Sequence, residues 1–279
     1  MCNPLLCSQK DLPILSRDMD LKTLGKTLGK TYQSADPVRH VVIDNFFDPD
    51  FLERVLQEFP DMDKAKEVRS FSNTNEKKAI TKGESLFGEC SKRLARFLNA
   101  EEMLDFLQEL TGIKETLIPD PHFAGGGFHA TKPGGYLKIH ADFNKHNDTG
   151  LDRRVNLLVF LNKDWQEGYG GHFEFWDKEM KHCTSRVLPV FNRVVIFSTT
   201  SDSYHGHPDP LTCPEDRNRR SMAIYYYTNG RPDEELSQNG SKHNTLFVGR
   251  SGVRKDVSKF RDRLRLFIPP IILRIFNRF

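Results

Sequence analysis

Evenly spaced short apolar segments between residues 122 and 228 constrain the fold of this chain more than any other feature. Turn signals such as Pro133-Gly134 and Asn147-Asp148 separate these segments. Many short strands at regular spacing are typical of antiparallel sheets that close into a sandwich or barrel. The pattern therefore predicts a mainly β fold, a jelly roll, whose open mouth brings together side chains from different strands. The predicted strands are 127–131, 136–141, 154–161, 172–176, 184–188, 193–198, 203–207 and 221–228.

The preceding part of the chain has a different pattern. Residues 40–47 read as a strand, whereas 51–59, 84–98 and 101–111 show helical spacing. We expect these N-terminal helices to flank the sheet from outside, with the polar segment 69–82 as a substrate-binding loop or a solvated linker. The predicted organisation is 1–36 loosely ordered, 37–121 a strand with supporting helices, 122–232 the β core, and 233–279 a polar linker followed by a basic amphipathic tail.

Composition and charge narrow the functional classes. The net charge of the 279-residue chain is only +3, which gives no reason to expect nucleic acid as a partner. Residues 250–279 hold nine Lys or Arg against two acids. Within 260–279, an apolar stripe lies opposite Arg274 and Arg278 on a predicted helix, which would suit weak contact with an anionic membrane surface. Five cysteines without a Cys-x-x-Cys pair, no secretory signal and no apolar run of eighteen residues predict a cytoplasmic protein with reduced thiols.

One constellation in the β region carries a chemistry. His140 and Asp142 form a His-x-Asp triplet at the end of a predicted strand, and His205 and Arg220 follow in later strands. Two imidazoles and one carboxylate can occupy one face of an octahedral metal, an arrangement used by non-haem iron(II) oxygenases. A guanidinium beyond the second histidine could bind the far carboxylate of a keto acid, because its planar fork matches a carboxylate.

The triplet alone is weak evidence, because the chain has two more of the same kind. His172 with Glu174 reads as part of a half-buried strand, and His207 with Asp209 lies where a turn is expected. His140 differs from both, because it ends a strand-like run behind a Pro-Gly-Gly turn and has further His and Arg residues downstream.

Six sequence blocks, in order, resemble the prolyl-4-hydroxylase-like branch of the iron(II)/2-oxoglutarate-dependent oxygenases. The resemblance covers roughly 125–228 and implies a double-stranded β-helix, the iron ligands His140, Asp142 and His205, and Arg220 on the 5-carboxylate of 2-oxoglutarate. It also implies the cosubstrate O2, a hydroxylated carbon centre in a prolyl residue or a related small molecule, and L-ascorbate as a further candidate cofactor. The blocks are 136–143, 156–165, 170–176, 193–198, 204–208 and 220–227.

An insertion at 208–218 leaves two positions open. His207 could replace His205 as the third ligand, and Arg219 could replace Arg220. Strand position favours His205. Alternation places Arg220 on the face of Met222 and Ile224, which we expect to be the barrel interior. A non-catalytic jelly-roll scaffold is the main alternative function, and a zinc hydrolase with the same three ligands ranks below it because the chain lacks a His-Glu-x-x-His helix.

Overall fold

A computed structural model describes residues 12–250, apart from Asp18, Glu234 and residues 236–240. The expectations for residues 1–11 and for the basic tail, including membrane contact through 260–279, lie outside the described residues. Within the described part, no helix has both the length and the apolar character needed to cross a membrane.

Four α-helices lie within residues 21–111, and local signals mark where several of them begin or end. Asp48 accepts a hydrogen bond from the Phe51 amide, and Pro49 occupies the first turn, as is common at a helix start. Gly112 ends the last helix in the left-handed conformation, with φ of 72°. The helices are α1 Leu21–Ser34, α2 Pro49–Gln57, α3 Glu89–Leu98 and α4 Glu101–Thr111.

Helix α1 corrects the expectation that residues 1–36 are loosely ordered. Asp20 caps it by accepting from the Thr23 amide, and Tyr32 is fully buried. Gly25 and Gly29 are buried against α4, and a Cβ built on Gly25 would lie 3.2 Å from the Phe106 carbonyl oxygen. A polar-looking segment is therefore helical because its glycines allow close packing, which overrides their low helix propensity.

Thirteen strands of the described residues form one antiparallel sheet, which confirms the predicted mainly β jelly roll. The order along the sheet is β1-β10-β7-β12-β5-β3-β6-β11-β8-β9, with β2 on β3, β4 on β12 and β13 on β6. The strands are β1 His40–Asp44, β2 Val68–Ser72, β3 Glu76–Thr81, β4 Ile118–Pro119, β5 Gly127–Thr131, β6 Tyr136–Ala141, β7 Asp152–Phe160, β8 Phe173–Trp176, β9 Cys183–Val187, β10 Arg193–Ser198, β11 His205–His207, β12 Arg219–Thr228 and β13 Leu246–Phe247.

Three additions to the sheet come from segments that were not predicted as strands, and the shortest is β4. The segment 69–82 is largely a β-hairpin, and its strand β3 lies between β5 and β6. Near the end of the described chain, β13 pairs with the end of β6, so that Phe247 lies opposite His140. The β core therefore draws strands from both sides of the predicted 122–232 region.

The strands at the centre of the sheet have two buried faces. One face of β7, β10 and β12 packs against the helices in the main apolar core, with Leu157, Ile196 and Met222 at most 1% exposed. The other face lies inside the jelly roll and carries Tyr225 and Tyr227. The candidate site lies on this inner side.

Candidate metal centre

Strand pairing brings the predicted metal ligands together. His140 near the end of β6 lies directly opposite His205 at the start of β11, and Asp142 follows β6 immediately. One ligand atom from each of these three side chains lies within 4.8 Å of the other two. Residues more than sixty positions apart in sequence thus form one largely buried cluster on the inner side of the jelly roll.

Backbone carbonyls fix the tautomers of both imidazoles. The Nδ1 atom of His140 lies 2.8 Å from the Lys138 carbonyl oxygen, and that of His205 lies 2.8 Å from the Ser203 carbonyl oxygen. A carbonyl oxygen only accepts, so Nδ1 carries the proton in each ring. Neutral rings then present the lone pair of Nε2 to the cluster, which is the orientation that metal-binding histidines use.

The donor set fits a metal cation on electrostatic grounds. His140 Nε2 lies 3.6 Å from Asp142 Oδ1, and His205 Nε2 lies 3.3 Å from Asp142 Oδ2. In this tautomer all the facing atoms are acceptors, so their close approach is unfavourable until a cation lies between them. Two imidazoles and a carboxylate are the side chains expected around ferrous iron with open positions.

Two further side chains keep the Asp142 carboxylate charged. Burial alone would raise its pKa, but the Arg153 guanidinium 3.1 Å away holds the pKa well below its usual range. Asn156 also donates to Asp142 Oδ2 at 2.7 Å. Burial lowers the pKa of His140, so this ring stays neutral. Asp142 and His140 are therefore in the protonation states that bind metal.

His207 does not join this cluster, although sequence left it as an alternative to His205. It is buried on β11 opposite Leu137, and a bulge separates it from His205. Its Nδ1 has no hydrogen-bond partner among the described residues. Burial and then the charge of Arg219 lower its pKa well below the usual value.

The two neighbouring arginines at the start of β12 point in opposite directions, and the expected placement of Arg220 is wrong. Arg220 lies against the Phe59 ring, 5.2 Å from its centroid, on the helix-covered face that it shares with Met222. Arg219 faces inward. Its guanidinium lies 5.0 Å from the Phe160 centroid, and its Nε donates to the Gly171 carbonyl at 2.7 Å. Strand alternation correctly placed Arg220 on the same face as Met222 and Arg219 on the opposite face. Both faces are buried, however, and the face that carries Met222 packs against the helices and not into the interior of the jelly roll.

Arg219 is a buried charge without a counter-charge. The residue is 6% exposed, its Nη2 lacks a hydrogen-bond partner, and no carboxylate of the described residues forms an ion pair with it. Burial alone lowers its pKa to about 9. A buried guanidinium is costly unless an anion accompanies it.

Arg153 is the residue that the sequence pattern missed. In a regular strand, Arg153 and Asn156 would face opposite sides, because they are three positions apart. A register shift between β7 and β12 lies opposite Arg153, and the Arg153 Nε donates to Asn156 Oδ1 at 2.8 Å. Bulges of this kind re-aim side chains near active sites. The sequence signal that could have identified Arg153 is the pair Arg153-Arg154 at the start of an otherwise apolar strand.

The remaining His-x-acid triplets are not metal clusters in the described structure. His172 Nε2 contacts Glu167 at 2.7 Å, and its Nδ1 lies 3.3 Å from Arg186, which also binds Glu174. This is a polar network on the outer side of β8 and β9.

A comparison with known families agrees with the geometry. Residues 126–227 match the family model described as the 2OG-Fe(II) oxygenase superfamily, and this range contains all three cluster residues and Arg219. Residues 126–227 are a 2OG-Fe(II) oxygenase domain. No curated protein sequence matches the chain.

Solved structures share the fold of this oxygenase domain at low identity. A prolyl-4-hydroxylase from Pseudomonas putida is 19% identical with a TM-score of 0.53, and the match covers 76% of this chain and 100% of that one. A prolyl hydroxylase from Trichoplax adhaerens, solved with a peptide of the hypoxia inducible factor oxygen degradation domain, is 16% identical with a TM-score of 0.54, covering 79% and 94%. Together with the His-Asp-His cluster, the domain supports a 2-oxoglutarate-dependent dioxygenase and not a non-catalytic scaffold.

Proposed function

We propose that His140, Asp142 and His205 hold a ferrous ion, and that Arg219 binds the distal carboxylate of 2-oxoglutarate in a hydroxylase acting on a carbon centre. The observation that carries the cosubstrate assignment is the buried Arg219, which lacks a carboxylate partner among the described residues. Bound iron(II) and 2-oxoglutarate supply the oxidation itself, in which O2 gives one oxygen atom to the substrate C–H and one to succinate, with release of CO2.

The residues of the chain bind and orient these groups. The Nδ1–H bonds to the Lys138 and Ser203 carbonyls hold both imidazoles with Nε2 inward. Arg219 supplies a fixed positive charge, with the unpartnered His207 Nδ1 as a further polar atom on the same inner side. The Phe160 ring beside Arg219 adds an apolar surface to this inner side. This combination suits a five-carbon dicarboxylic keto acid with one end on the metal and the other on Arg219.

The experiment that tests this assignment separates metal binding from cosubstrate binding. Anaerobic protein with iron(II) and 2-oxoglutarate should show the weak visible charge-transfer absorption of the chelate. Arg219→Ala should raise the Kd for 2-oxoglutarate about 30-fold or more, since losing one partner of a buried charged pair costs about 2–5 kcal/mol. Manganese binding should be retained in the same variant.

Arg220→Ala is the matched control, because it removes the same side chain from the other face of β12. Its 2-oxoglutarate affinity should equal that of the parent protein. An unchanged Kd in Arg219→Ala, or the larger loss in Arg220→Ala, would contradict the assignment. Loss of the absorption in His140→Ala checks the metal cluster independently.

Substrate and reductant belong to the same proposal. The fold that this domain shares with prolyl hydroxylases makes prolyl peptides the first substrates to test, with free amino acids as the second class. Succinate release stimulated by one class and not by the other would identify the substrate type. L-ascorbate is proposed as the reductant that returns oxidised iron to the ferrous state, and repeated turnover with and without it tests that role.

A further inference from the structure

Asp142 Oδ2 is more crowded than its role as one of three ligands requires. It accepts from Asn156 Nδ2 at 2.7 Å and lies 3.1 Å from Arg153 Nη2. The same oxygen lies 3.3 Å from His205 Nε2, and Asp142 Oδ1 lies 3.6 Å from His140 Nε2. Each carboxylate oxygen therefore faces one imidazole, and the Asn156 amide sets which way the plane of the carboxylate lies.

Asn156 and Arg153 also fix each other. Arg153 Nε donates to Asn156 Oδ1 at 2.8 Å, which determines that the amide nitrogen of Asn156 points to Asp142. The guanidinium lies 3.5 Å from the Tyr225 ring centroid and 4.4 Å from that of Phe143, so it is held between two aromatic rings. Asn156 is 2% exposed and Arg153 1% exposed. The three polar side chains therefore contact one another in a largely buried triangle.

We propose that Asn156, oriented by Arg153, is a positioning residue that fixes the plane of the Asp142 carboxylate within the metal cluster. This inference rests on the proposed function of the His-Asp-His cluster. A carboxylate held in one orientation keeps its ligand oxygen in place beside the two imidazoles, whereas a carboxylate that rotates binds the metal more weakly.

The test is metal binding without turnover. Asn156→Leu keeps the side-chain volume and removes the amide, so Asp142 Oδ2 loses its shortest donor. The Kd for manganese(II), measured by calorimetry, should rise about 10- to 100-fold, as is common when a partner of a metal ligand is removed. The absorption spectrum of the cobalt(II) protein should also change, because the carboxylate ligand changes its orientation.

Asn162→Leu is the matched control. Asn162 lies just beyond the end of β7, is also buried, and its amide nitrogen donates to the Pro189 and Arg220 carbonyls, away from the cluster. This variant should lose stability but keep the parent manganese affinity and cobalt spectrum. Comparing the two variants separates a local effect on Asp142 from general loosening of the sheet.

The outcomes are distinct. Parent protein that binds manganese tightly, with Asn156→Leu unchanged in affinity and cobalt spectrum, overturns this inference and leaves the proposed function intact. Parent protein that fails to bind manganese overturns both. If Asn156→Leu does not fold, Asn156→Ala and Arg153→Met remove the Arg153–Asn156 contact from its two ends. Both variants are expected to weaken manganese binding, and unchanged affinity in both would overturn the inference.

Discussion

Strands β7 and β12 are buried on both faces, yet different interactions bury the two faces. On the outer face, Leu157 and Met222 pack into the helix-covered apolar core. On the inner face, Arg153, Asn156 and Arg219 are nearly as inaccessible, but they are charged or polar. The outer face stabilises the fold through apolar burial, which contributes about 25 cal/mol per Å². The inner face costs stability wherever a charge lacks a partner, and this cost marks the site.

The largest expected effects come from one substitution on each face. Asp142→Asn keeps the shape of the side chain but removes the charge that the cluster needs, so turnover should fall below detection. Leu157→Ala should lower the free energy of unfolding by about 2–5 kcal/mol, because it opens a cavity in the core, while the turnover per folded molecule is kept. Succinate release and urea unfolding of both variants measure the two effects, and loss of turnover in folded Leu157→Ala would break the distinction between the faces.

A smaller effect is expected where the inner face is destabilising. Arg219→Met should raise the free energy of unfolding of the ligand-free protein by about 1–2 kcal/mol, because an uncompensated buried charge is replaced by an apolar side chain. The same variant should lose the stabilisation that 2-oxoglutarate gives to the parent protein. Arg220→Met on the outer face should show neither change. A less stable Arg219→Met protein would mean that the bond to the Gly171 carbonyl outweighs the buried charge.

The smallest expected effect is a pH dependence of stability from His207. Burial lowers the pKa of its imidazole well below 6.5 in the folded protein, whereas the unfolded chain takes up a proton near pH 6.5. The unfolded state therefore binds more protons below that pH, and the free energy of unfolding should fall with a slope of up to about 1.4 kcal/mol per pH unit. Urea unfolding at pH 7, 6 and 5 should show a shallower decrease for His207→Leu than for the parent, and equal slopes would contradict the prediction.

Sequence alone predicted most of the strands and the grouping of His140, Asp142 and His205 because both depend on local pattern and order. Alternating apolar segments separated by turns gave β5, β6 and β10 with the bounds that the structure has. The His140 and Asp142 pair stood out because a strand and a turn preceded it. The pairing of β6 with β11 then brought His205 opposite His140, as the resemblance implied.

The missed features depend on contacts between distant parts of the chain. The choice between Arg219 and Arg220 needed the knowledge that helices cover the outer face of β12, because alternation separates two faces without saying which is inside. Arg153 reaches Asp142 only because of a register shift in β7. The hairpin β2–β3 is polar in sequence and becomes a strand pair because β5 and β6 both bond to it.

The short strand β13 makes residues 246–247 structural neighbours of the cluster. Its Phe247 ring lies 5.5 Å from the His140 ring, and the Val248 amide donates to the Ile139 carbonyl. Shortening the protein before residue 246 would strip one flank from a histidine of the cluster and expose its strand to water. Expression boundaries and fusion tags should therefore be placed beyond this segment, since a truncated protein could be inactive for reasons unrelated to its chemistry.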